Sequence, residues 1–140
     1  MTDLAPTRSF DDVAVGDTLP ELAIPLTRTL IVSTAIATRD YQDVHHDPAL
    51  AVERGSPDIF MNILTTNGFV SRFVTEWAGP GSRLAKLSIR LGAPNYPGDT
   101  MTFTGSVEAK DDAARSVTVA LKGANSIGDH VVGKVEVVLP

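Results

Sequence analysis

Between Ile63 and Trp77 the apolar residues Ile63, Leu64, Val70, Phe73, Val74 and Trp77 recur at helical spacing, with Arg72, Thr75 and Glu76 falling between them. Gly79-Pro80-Gly81 stops that pattern, so the longest helix of the chain is predicted here, with its aromatic rings turned towards a core. After Gly81 the period changes to two. Leu87, Ile89 and Leu91 alternate with Lys86, Ser88 and Arg90; Met101, Phe103 and Val107 with Thr102, Thr104, Ser106 and Glu108; Val117, Val119 and Leu121 with Ser116, Thr118 and Lys122; Val135 and Val137 flank Glu136. Turn residues separate these strands at Pro94–Asp99, Lys110–Asp112 and Ser126–Asp129. Short connections favour antiparallel neighbours, and one long helix laid on a curled antiparallel sheet is the simplest packing, an α+β layer architecture.

Ahead of the long helix the signals are shorter. Residues 9–32 read as an irregular lead-in with a turn at Val15-Gly16-Asp17 and a strand over Thr27–Val32. Ser33 suits an N-cap, and the stretch after it lacks Gly and Pro, predicting a short helix to about Asp40. A second start stands at Asp47, a capping residue followed by Pro48 at the first helical position, with Gly55 as the stop. Gln42–His46 is then a tight link between two helices.

That link changes the picture from fold to chemistry. Asp40-Tyr41-Gln42-Asp43-Val44-His45-His46-Asp47 gathers three aspartates and two histidines. Residues five apart on one continuous helix lie roughly 140° apart, so Asp40 and His45 converge only if the helix ends between them. The start signal at Asp47 requires that it does. A carboxylate beside an imidazole is either an acid/base pair, with opposite protonation habits near neutrality, or a capping pair at a helix junction. Asp43, His45, His46 and Asp47 are also metal-ligand types, although adjacent residues seldom point at one centre. His46 is expected to serve the link or an interface, and His130, in a late turn, to face solvent.

Composition narrows the rest. A chain of 140 residues supports one domain, residues 1–140, and 43% hydrophobic with 21% charged residues is ordinary for a globular protein. It has no cysteine, which removes thiol catalysis, disulfides and thiolate metal sites. The net charge of −5 disfavours a nucleic-acid surface. A local cationic patch for an anionic group remains available at Arg83, Lys86 and Arg90. The opening Met-Thr-Asp-Leu-Ala-Pro carries no signal-type segment and no run reaches membrane-spanning length, so a cytoplasmic location is expected, with no membrane partner.

Two motifs together carry a resemblance. Asp40, Gln42, His45, Asp47, Pro48 and Ala51 follow the spacing of the hydratase motif of the MaoC-like enoyl-CoA hydratases, in which an Asp is followed by Asn two residues on and His five residues on. Their later signature is matched by Arg90, Pro94, Pro97-Gly98-Asp99 and Thr104-Gly105-Ser106-Val107. The chain is therefore similar to that hot-dog-fold family. Arg39–Asp47, Asp58–Thr65 and Trp77–Pro80 further resemble the small catalytic subunits of the heteromeric steroid side-chain hydratases of bacterial cholesterol degradation. The resemblance implies hydration of a 2-enoyl-CoA to a (3R)-3-hydroxyacyl-CoA, with Asp40 and His45 catalytic. It implies that the backbone N–H of Asn62 forms an oxyanion hole, that Gln42 meets the substrate, and that no cofactor or metal is needed. It also implies a partner, a second MaoC-like chain or a second copy of this one. Gln42 stands for the usual Asn and Asp43 for the usual Pro, while Asn62 aligns with a Gly. The rivals are a hot-dog acyl-CoA thioesterase, whose helix carboxylate only Glu76 could supply, and a non-catalytic subunit that completes another chain's pocket.

Overall fold

The computed structural model describes residues 5–140; Met1–Leu4, the start of the stretch read above for targeting signals, lie outside them. In chain order the elements are a 3-10 turn (Phe10–Asp12), β1 (Leu22–Pro25), α1 (Arg28–Ala37), a 3-10 turn (Asp43–His45), α2 (Pro48–Glu53), α3 (Ile63–Ala78), β2 (Arg83–Leu91), β3 (Thr100–Asp111), β4 (Ser116–Ala124) and β5 (Asp129–Val138). The five strands form one antiparallel sheet in the order β1-β3-β4-β5-β2. This is the α+β arrangement the periodicities predict. Consecutive strands do not all pair, however: β2 crosses over to lie beside β5, leaving β1 and β2 at the two edges.

The sheet is bent around α3. Register shifts in the β3–β4, β4–β5 and β2–β5 ladders add local twist, which curls the strands about the helix. The buried helix residues Val70, Phe73, Val74 and Trp77 meet Met101, Phe103, Val107, Val119, Leu121 and Val135 from the sheet in one cluster. Phe73 stacks on Phe103 with ring centroids 5.4 Å apart. Gly105 permits the approach, because a Cβ there would come within 3.0 Å of the Phe73 ring and 2.9 Å of the Ala120 carbonyl. Each large apolar side chain so buried contributes about 1.5–3 kcal/mol.

Three expectations are corrected. Thr27–Val32 is not a strand: Thr27 caps α1 by accepting the Leu30 N–H at 3.0 Å, and Leu30, Ile31 and Val32 lie within that helix. Ser33 is accordingly an interior helix residue. The β-branched run suggested a strand, but Ile31 and Ala35, one turn apart on α1, are both fully buried, and burial of that helical face overrides propensity. Second, Ile63 and Leu64 are 49% and 47% exposed, and the buried residues of α3 begin at Thr65 and Thr66 instead. Third, His130 is 3% exposed and belongs to β5.

Candidate active site

α1 ends in a reversal that the residue types conceal. Arg39 N–H reaches Ile36 O at 3.0 Å and Asp40 N–H reaches Ala35 O at 3.0 Å, the paired 5→2 and 6→1 bonds of a Schellman turn. Such a turn needs a left-handed residue, and Arg39 takes it at φ 56°. Glycine normally does so, and an L side chain there costs about 1–2 kcal/mol. Asp40 thus leaves the helix axis immediately after the turn.

The chain then folds back through the 3-10 turn into α2, whose start is as predicted. Asp47 Oδ1 accepts the Ala49 and Leu50 N–H groups at 3.0 and 3.1 Å, and Gly55 ends the segment at φ 91°. Arg54 grips Asp43 with two hydrogen bonds of 2.6 and 2.7 Å, which hold that carboxyl below the usual range. His46 Nε2 lies 3.1 Å from Tyr41 O, so this histidine does serve the link. Asp43, Asp47 and His46 are therefore each engaged locally and do not converge with His45. Among the described residues no three His, Asp or Glu side chains are grouped to hold a metal ion.

His45 is 5% exposed. Its Nδ1 lies 2.7 Å from Phe60 O, and a carbonyl can only accept, so Nδ1 carries the hydrogen and Nε2 is directed elsewhere. The Phe60 ring meets the imidazole edge-on at 5.0 Å, and Phe60 N–H bonds back to Val44 O. His45 Nε2 faces Asp40 Oδ2 at 3.4 Å. The convergence that a broken helix allows is thus realised.

Asp40 is held from two further sides. Gln42 N–H donates to Oδ1 at 3.3 Å, and Asn62 Nδ2 donates to Oδ2 at 3.1 Å. The Asn62 bond is the first reason that this carboxyl sits below its ordinary pKa, followed by the Gln42 N–H and the neighbouring imidazole, against a cost of burial. Gln42 itself is exposed.

Asn62 is the N-cap of α3, with φ −79° and ψ 161°, a conformation open to any residue, so the aligned glycine is not required for backbone reasons. Its Oδ1 accepts Thr65 N–H at 3.0 Å. Its own backbone N–H has no hydrogen-bond partner among the described residues, as befits the first turn of a helix. Sequence reasoning missed the Asn62 side chain as a partner of Asp40; an Asn standing directly before the apolar period was the available signal. Glu76, the thioesterase candidate, pairs with Arg72 on the exposed side of α3 at its far end. Lys86 and Arg90 line one shallow cleft of about 630 Å³ on the outer sheet face with Lys134 and Glu136, whereas Arg83 does not.

A family model for the MaoC like domain matches residues 13–126. The chain belongs to the MaoC-like family. Within it, the chain is 53% identical over 122 residues to the beta subunit of 3-oxo-4,17-pregnadiene-20-carboxyl-CoA hydratase from Mycobacterium tuberculosis, covering 87% of this chain and 93% of that one. Its structure is similar to a chain of the ChsH1-ChsH2 complex from Mycobacterium tuberculosis, with a TM-score of 0.88 and 51% identity over 91% of this chain and 98% of that chain. The hot-dog fold of the MaoC-like chain is also shared with the (R)-hydratase from A. caviae, with a TM-score of 0.84 and 21% identity over 92% of this chain and 98% of that one. No helix among the described residues is long and apolar enough to cross a membrane.

Proposed function

We propose that this MaoC-like chain is the hydratase subunit of a heteromer that adds water reversibly across the C2=C3 bond of a steroid side-chain 2-enoyl-CoA. The observation that carries the reading is the pair Asp40 Oδ2 and His45 Nε2, 3.4 Å apart beside an unpaired helix-start amide. With Nδ1–H given to Phe60 O, a neutral His45 offers Nε2 as an acceptor, and an ionised Asp40 offers only acceptors. Two acceptors facing each other suit a water molecule that donates a hydrogen to each and turns its lone pair to the substrate.

In the forward direction the water oxygen bonds to C3 and the water gives up a proton to the pair. The C2=C3 electrons move onto the thioester oxygen, and the proton returns to C2 as that enolate collapses, giving the (3R)-3-hydroxyacyl-CoA. General acid/base help of this kind contributes typically 10²–10⁴-fold. The Asn62 N–H, aimed from the start of α3, stabilises the enolate oxygen, and one such donor is commonly worth about 3 kcal/mol. Gln42, exposed and tied to Asp40 through its backbone N–H, meets the substrate. Water and thioester balance the reaction, so it calls for no cofactor. The steroid substrate and the second MaoC-like chain are supported by the 53% identity to a steroid-CoA hydratase beta subunit and by the likeness to a chain of a two-protein complex. The reading includes a cytoplasmic site of action.

The deciding experiment offers a steroid side-chain enoyl-CoA and crotonyl-CoA to the chain alone and co-purified with a second MaoC-like chain. Loss of enoyl-thioester absorbance without release of free CoA thiol, strongest for the steroid substrate and the pair, is the expected result. Thiol release would favour the thioesterase instead, and no reaction with either substrate would remove the hydratase assignment.

A further inference from the structure

The Asn62 side chain does more than a helix cap requires. A cap needs one acceptor, which Oδ1 provides to Thr65 N–H, and Ser, Thr or Asp meets that need as well. Because a backbone N–H can only donate, Oδ1 must face Thr65 and Nδ2 must face the opposite way. There its two hydrogens reach Thr38 Oγ1 at 2.9 Å and Asp40 Oδ2 at 3.1 Å. Thr38 donates its own hydroxyl hydrogen to Thr34 O at 2.8 Å, which leaves its oxygen free to accept from Asn62. Asn62 is 2% exposed, so water offers no substitute for these partners.

We propose that the Asn62 side chain is a positioning residue for the hydration, tied through Thr38 to the end of α1 and clamping Asp40 Oδ2 opposite His45. The inference rests on the hydratase reading and adds a second duty to a residue that enters that reading only through its backbone N–H. Asp40 directly follows the turn that ends α1. Gln42 N–H holds one carboxylate oxygen and the Asn62 amide the other, so the two donors together fix the plane of the carboxylate. Misplacing a catalytic group by about 1 Å can cost 10²-fold in rate. A donor on the carboxylate also favours its ionised form, in agreement with the direction in which Asp40 is shifted.

Two variants separate clamp from cap. Asn62→Ser keeps a capping oxygen but is too short to reach Asp40; Asn62→Asp keeps the acceptor for Thr65 and replaces the donor with a second carboxylate. In the hydratase assembly, Asn62→Ser should unfold near the wild-type temperature yet lose at least about tenfold in kcat, with KM within about threefold. In Asn62→Asp two carboxylates within hydrogen-bond reach share a proton, so the acid limb of kcat should rise by about one pH unit or more. Carbon NMR of the Asp40 carboxyl should show its titration moved upward in both variants, whether or not any hydration is seen. A folded Asn62→Ser enzyme with wild-type kcat, or an Asp40 titration unmoved in both variants, overturns the clamp. A wild-type assembly that hydrates no enoyl-CoA overturns the hydratase reading instead and leaves the carboxyl titration to judge the clamp.

Discussion

The hinge between α1 and α2 and the start of β5 each bury a histidine, and the two are anchored alike. His45 and His130 are 5% and 3% exposed, and each presents Nδ1 to a backbone carbonyl at 2.7 Å, Phe60 O in one case and Ala93 O in the other. Both rings therefore carry their hydrogen on Nδ1 and turn Nε2 the other way. At β5 that nitrogen accepts the Thr66 hydroxyl at 2.8 Å, and the ring is fully satisfied. At the hinge it faces the Asp40 carboxylate at 3.4 Å, where no hydroxyl donor caps it. The burial of a histidine and its tautomer are thus shared by a packing residue and a candidate base, and the second nitrogen tells them apart.

The largest test of that contrast is catalytic. Asp40→Ala and His45→Ala should each lower turnover at least about 100-fold, equivalent to about 2.7 kcal/mol of barrier, while the protein stays folded. Steady-state kinetics with thermal unfolding on the same samples would check this, and activity retained by either variant removes that residue from the mechanism.

His130→Ala should show the reverse profile. It leaves Ala93 O unpaired in a buried site and the Thr66 hydroxyl with only its long contact of 3.4 Å to Asn62 O, at about 1–3 kcal/mol for an unsatisfied group, with kcat within about threefold of wild type. Urea unfolding measures the first quantity. A large loss of kcat without loss of stability would erase the distinction between the two rings.

The smallest effect is a pH slope. Burial pushes the His130 pKa below its ordinary value, so the folded ring stays neutral while the unfolded chain binds a proton as pH falls through about 6.5. Its contribution is full above that value and is lost as pH falls towards the folded pKa, by at most about 1.4 kcal/mol per pH unit. The carboxyls of Asp40, Asp43, Asp58 and Asp99 are shifted down, so their contributions disappear only below about pH 4, in a separate window. Unfolding free energy measured between pH 7 and 5 should fall for wild type and stay flatter in His130→Ala. Equal slopes would show that His130 titrates as it does in the unfolded chain.

Features governed by neighbours along the chain were legible. The period of α3, its Gly79 stop, the alternation of the strands and the Asp47-Pro48 start of α2 all depend on residues within a turn or two of each other. Thr27–Val32 misled because β-branched residues favour strands locally, whereas burial of Ile31 against the core favours a helix. The end of α1 was placed near Asp40, but a left-handed Arg39 closing a Schellman turn carries no glycine to announce it. His130 follows Gly128-Asp129 and looked like a turn residue. Gly92 N–H on His130 O and Ala93 N–H on Asp129 O carry the strand pairing through it instead.

What the residues alone determined is the inventory and the break: an Asp and a His five apart, a helix that must end between them, and a long amphipathic helix starting after Asn62. Which atoms then meet was decided in three dimensions. Phe60 O reaches His45 across 15 residues, Asn62 reaches Asp40 across 22, and Thr66 reaches His130 across 64. Caps, turns and periodicity act over a few residues, whereas these contacts between distant segments follow from how the core packs.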